Sequence, residues 1–135
     1  MKHVGTPLDP KFVLDENMAG SIVTRIQEAG FPVKAFVDLF DRGLTDEILL
    51  EKLSTRPNLF LVTKDSDFRY KPAVKKALLA HGIGVFIITS GGNKSGAMLA
   101  DLIISVWPRM VKFTQKYPRP FVAKITSDAR VVMQS

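Results

Sequence analysis

The chain is predicted to be α/β: a three-layer α/β/α domain with a mainly parallel central sheet and a C-terminal antiparallel hairpin. Three observations predict it. Short apolar runs alternate with segments of helical periodicity. The run Asn58-Leu59-Phe60-Leu61-Val62 has the unbroken apolar character of a strand buried on both faces, as parallel strands are. Near the C-terminus, two closely spaced strands, 121–125 and 130–133, flank a Ser127-Asp128 turn.

Each element has its own signal. Lys11-Phe12-Val13-Leu14 reads as the first strand and runs into Asp15-Glu16-Asn17. Met18, Ile22, Ile26 and Ala29 then recur at helical spacing, with Gly30 placed to close the helix. Residues 32–36 predict a short second strand, and 38–43 a polar loop. Thr45-Asp46-Glu47 opens a second helix whose inward residues are Ile48, Leu49 and Leu53, and Pro57 ends it. Pro72 opens a third helix, with Val74, Ala77, Leu78 and His81 on its apolar side and Gly82 at its end. His81 is therefore expected to be structural. Residues 84–89 form another buried strand, and the Gly-rich turn 90–96 leads to a fourth helix lined by Leu99, Leu102, Ile103 and Val106. Pro108 is expected to kink or shorten it, because proline removes a backbone donor.

The 135 residues suit one domain, 1–135, with a sizeable core. No apolar run approaches the roughly 20 residues that span a bilayer. The N-terminus lacks the apolar centre of a signal peptide. There is no cysteine, and His3 and His81 are the two histidines, so thiolate and His-rich metal sites are excluded. These features predict a cytoplasmic protein, not a membrane one, whose metal, if it has one, is held by oxygen. Residues 1–70 carry 9 basic and 11 acidic side chains, net −2, whereas 71–135 carry 10 and 2, net +8. An acidic centre beside a basic surface suits a polyanion; lysines that only keep the domain soluble would produce the same balance.

The chemistry-bearing stretch is Thr63-Lys64-Asp65-Ser66-Asp67-Phe68, directly after the most apolar strand. Asp is depleted in strands, and two neighbouring carboxylates resist joint ionisation unless a cation joins them. In a parallel sheet the strand C-termini and the following helix N-termini share one edge, where ligands bind. Asp15, Asp46 with Glu47, and Asp65 with Asp67 come from three separate segments, yet all fall on that edge. Each acid also has a structural role open to it. Asp46 and Glu47 suit a helix N-terminus, Asp65 and Asp67 suit Asx-type turn bonds, and Asp15 suits pairing with Lys64. Asn17 can cap the first helix, and Glu16 can bind metal or face solvent.

Leu14-Asp15-Glu16-Asn17, then Arg42-Gly43-Leu44-Thr45-Asp46-Glu47-Ile48, then Thr63-Lys64-Asp65-Ser66-Asp67-Phe68 resemble the signature of compact PIN-like domains, the nucleases of VapC-type toxin–antitoxin systems and their relatives. The resemblance runs from about residue 11 to 89. It implies hydrolysis of RNA phosphodiesters with Mg²⁺ or Mn²⁺, held by Asp15, Asp46, Asp65 and Asp67. Glu16, Asn17, Glu47 and Thr63 would support them. It also implies a cognate antitoxin as partner, and a homodimer is compatible with it. Larger relatives add a Glu between the first Asp and the helix-start Asp. Here that interval is short and holds only Asp38 and Asp41 after the first helix, which keeps a second reading open: a PIN-like module that binds nucleic acid or protein without cleaving.

RNA phosphates need cations, and Lys64, Arg69, Lys71, Lys75 and Lys76 follow the acidic element. Lys94, in a turn that lacks the Gly-Lys-Ser of a P-loop, joins them on the same edge or serves only the connection. Lys112, Lys116 and Arg119 extend this basic surface or solvate the end of the last helix. Phe68, Tyr70 and Trp107 are expected to be packing residues.

Overall fold

The computed structural model describes residues 10–15, 18, 20–39, 45, 48, 51–52, 54–56, 58–64, 76, 80–89 and 94–134. Six strands form one sheet: β1 (Lys11–Leu14), β2 (Lys34–Ala35), β3 (Leu59–Thr63), β4 (Gly84–Ile88), β5 (Phe121–Ile125) and β6 (Val131–Met133). Their spatial order is β2-β1-β3-β4-β5-β6. All neighbours are parallel except β5 and β6, which form the expected antiparallel hairpin at one edge.

β3 and β4 are buried at every position, as a central parallel strand must be when both faces are covered. Period-two alternation divides their side chains between two cores. Phe12, Phe60, Val62, Phe86 and Ile125 face helices α1 (Gly20–Glu28) and α3 (Gly96–Lys116). Val13, Leu61, Val85, Ile87 and Val122 face Phe36 of the short helix α2 (Phe36–Leu39), with Leu39 packed alongside. Helices thus lie on both faces of the sheet.

The α1/α3 side is aromatic. Phe86 meets Phe121 edge-on at 5.4 Å, Phe113 meets Phe121 at 5.0 Å, and Trp107 meets Phe12 at 4.9 Å. Each such pair contributes about 0.5–1.5 kcal/mol beyond the area it buries. Trp107 is a packing residue, as expected. Gly84 lets β4 through this cluster: a Cβ there would stand 2.6 Å from the Phe60 ring and 2.9 Å from that of Phe121.

Several expectations need correction. The second strand is two residues long, and Phe36 to Leu39 is helical, so Asp38 lies on α2 and not in a loop. Ala29 is exposed, just past the end of α1, which Gly30 closes at φ 97°. Pro108 sits inside α3, which runs on for two more turns; it is exposed, while Val106, Trp107, Met110 and Phe113 on either side are buried. Core packing on both sides outweighs the missing donor. His81 is helical but exposed, so it does not belong to an apolar face.

The crossovers depart from the general rule that such connections are right-handed. α1 joins β1 to β2 and α3 joins β4 to β5, in opposite directions along the sheet yet on one face. They therefore have opposite hands, and uniformly right-handed connections do not hold here. Among the described residues, no helix is long and apolar enough to cross a membrane.

Candidate functional site

The chain leaves β1 in one direction for β2 and later reaches β3 on the other side of β1. The gap between the C-terminal ends of β1 and β3 is therefore a topological switch point, the place where open α/β sheets bind ligands. Neither composition nor periodicity reveals strand order, so this coincidence was not legible in the sequence.

Register decides what stands there. Leu14 pairs with Val62, and the ladder continues one residue further, where the Asp15 N–H donates to the Val62 carbonyl at 3.0 Å. That step sets Asp15 beside Thr63. The Thr63 hydroxyl donates to Asp15 Oδ2 at 2.8 Å, across 48 residues of sequence. Thr63 has no exposed surface, whereas Asp15 is half-buried. A buried hydroxyl costs free energy unless it is bonded, and here the carboxylate satisfies it while being held in one orientation. The Asp15 carbonyl accepts the Met18 N–H at 3.0 Å, which turns the chain towards α1.

Few of the other predicted residues are among those described. Lys64, half-buried, directly follows Thr63, the last residue of β3. Lys94 is half-buried next to Ser95, the N-cap of α3, whose hydroxyl accepts the Met98 N–H at 3.2 Å. α3 follows β4, so Lys94 lies on the same edge of the sheet. The Thr45 hydroxyl accepts the Ile48 N–H at 3.3 Å. Lys76 is helical and exposed. Glu16, Asn17, Asp41, Asp46, Glu47, Asp65, Asp67, Phe68, Arg69, Tyr70, Lys71 and Lys75 lie outside the described residues.

Three cations fall elsewhere. α3 begins at the Asp15 edge and ends at the other, so Lys116, one turn beyond Lys112, stands roughly 30 Å along the helix from Gly96. Arg119 is half-buried, donates to the Leu59 carbonyl at 3.3 Å and lies 5.6 Å from the Phe60 ring. It thus braces the start of β3, opposite to Thr63, and burial lowers its pKa from the ordinary arginine value. These side chains do not extend a basic surface around Asp15. Sequence reasoning also missed a surface hollow of about 460 Å³ lined by Ser21, Thr24, Arg25 and Gly96, where α1 and α3 start side by side.

Asp15 offers hard oxygen, which suits Mg²⁺ or Mn²⁺ and not a soft metal. Among the described residues, no three His, Cys, Asp or Glu side chains gather; Asp15, held by Thr63, is the carboxylate they place at this point.

No curated protein and no solved structure matches this chain. The family described as a PIN like domain matches residues 10–90, more than half of the sequence and all of the segments that carry the acids. The chain belongs to the PIN-like domain family.

Proposed function

We propose that this PIN-like domain, a nuclease-type fold, is an Mg²⁺- or Mn²⁺-dependent endoribonuclease and the toxin of a toxin–antitoxin pair, folded as one domain. The observation that supports this reading is the buried Thr63 hydroxyl fixed on Asp15 at the β1/β3 switch point. A solvent-facing carboxylate kept only for solubility needs no such tether. Asp65 and Asp67 follow Thr63 by two and four residues, and Asp46 directly follows Thr45.

In this reading Asp15 and Asp65 are the principal ligands. Asp46 and Asp67 complete the oxygen set or orient the attacking water, with Glu16, Asn17 and Glu47 in support. A divalent cation held there would acidify a water and neutralise charge developing on the phosphate. Thr63 keeps the Asp15 carboxylate in one rotamer, so the ligand is preorganised. Lys64, Arg69, Lys71, Lys75 and Lys94 hold the RNA backbone through its phosphates, which makes binding salt-dependent.

The test is RNA cleavage by the purified chain with Mg²⁺ or Mn²⁺, compared with Asp15→Asn and Asp65→Asn. The parent is expected to cleave and to slow growth when expressed alone, and the variants to do neither. Equal cleavage by all three sinks the site assignment. Tight RNA binding without cleavage by any of them makes the chain a binding module.

A further inference from the structure

We propose that the groove between the C-terminal half of α3 and edge strand β6 binds an extended acidic peptide of a partner protein, which adds to the sheet as a seventh strand. The groove lies three strands from Thr63, about 14 Å across the sheet, and the proposal does not depend on the nuclease reading.

The ladder shows what the edge offers. Thr126 donates its N–H to Arg130 O at 2.9 Å, and Gln134 donates to Val122 O at 2.7 Å. Val132 pairs with Lys124 between them. Bonding therefore uses alternate residues of β6, which turns the N–H and C=O groups of Val131 and Met133 outward. Among the described residues, β6 is the last strand on that side. Strand addition uses such outward groups.

The groove beside that edge holds about 360 Å³. Its floor is apolar, made by Val131, Met133 and Phe113, with Met133 41% exposed. Its wall carries Lys112 and Lys116, both exposed. Arg109 donates to the Ala129 carbonyl, tying α3 to the β5–β6 turn and fixing the width of the groove.

These features select the occupant. Side chains of an added strand alternate between the two faces of the sheet. Those on the α3 face cross the apolar floor and end at the lysines, which suits glutamate: a short aliphatic stem with an anionic tip. Those on the other face lie beside Val132, which suits valine. Single-stranded nucleic acid fits less well, because bases need open aromatic faces. The Tyr117 ring instead packs on Phe113 at 4.6 Å and lies under Lys116 Nζ at 5.3 Å. A second copy of this chain would bring its own Lys112 and Lys116 against the first.

The probe is a fluorescein-labelled peptide of alternating glutamate and valine, titrated into the full chain and followed by anisotropy. Saturable binding is expected, weakened about tenfold by Lys112→Glu or Lys116→Glu, exposed changes that leave the fold intact. The same peptide, N-methylated on alternate residues, keeps its charge but cannot pair, and is expected to bind about tenfold more weakly. Equal binding of both peptides reduces the groove to a charged patch and overturns the proposal. So does tighter, lysine-dependent binding of labelled oligouridine, which would make this a nucleic-acid surface. Absence of saturable binding, or a concentration-dependent dimer that excludes the peptide, also overturns it.

Discussion

The β1–β3 end and the β5–β6 edge use the same sheet in opposite ways. At the first, two parallel strands stop together at the centre, and a fully buried hydroxyl holds a carboxylate. At the second, a three-residue antiparallel strand leaves backbone groups beside lysines. Central strands make a polar group rigid, because neighbours on both sides fix its register. An edge strand leaves its backbone available, because nothing covers one side. Sheet position thus decides whether a polar group of this fold is held in one orientation or left open to pairing.

The contrast is broken most sharply at Thr63. Thr63→Val removes the donor to Asp15 while keeping a β-branched side chain of similar size. Affinity for Mn²⁺, read by calorimetry, is expected to fall about 10–100-fold, and Thr63→Ser should restore most of it. Unchanged affinity would mean that the tether is purely structural.

Gly84 lies on β4, between the two regions. Gly84→Ala forces a methyl group into the Phe60 and Phe121 rings, one on β3 and the other on β5. A loss of about 1–3 kcal/mol in urea unfolding is expected. A neutral result would show that the rings yield and that the two regions are less firmly joined than the packing indicates.

The smallest effect concerns the β5–β6 turn alone. The Thr126 hydroxyl, then the Asp128 backbone N–H and the charges of Arg130 and Arg109, hold the Asp128 carboxyl below its ordinary value. A depressed folded pKa means that its contribution is complete above the unfolded value and is lost as pH falls below about 4. The Ala129 amide resonance should titrate in that window, and Asp128→Asn should abolish the change while Mn²⁺ affinity stays constant.

What could be read beforehand followed from repetition. The apolar strands and the Ile22/Ile26 spacing carry their own period, so β1, α1, β3, β4 and the hairpin fell where expected. β2 and α2, of two and four residues, are too short to show a period. The long run of α3 past Pro108 depends on core contacts that no local rule contains. For the site, Asp65 and Asp67 stood out as acids at the end of an apolar strand, where Asp is depleted. The bond between Thr63 and Asp15 depends on which strands are neighbours, and Arg119 looked like a surface cation because its target, the Leu59 carbonyl, is 60 residues away.

The Thr63–Asp15 bond has a consequence for how this fold can change. Side chains in a strand alternate, so sliding β3 by one residue against β1 would send the hydroxyl to the opposite face and bring Val62 or Lys64 level with Asp15 in its place. The contact is therefore an all-or-none report on the alignment of the two central strands. An insertion or deletion anywhere in 11–14 or 59–63 would erase it even if the core re-formed, whereas changes in the connecting segments would leave it untouched. For this contact the length of the two strands is fixed, and the length of the segments between them is not.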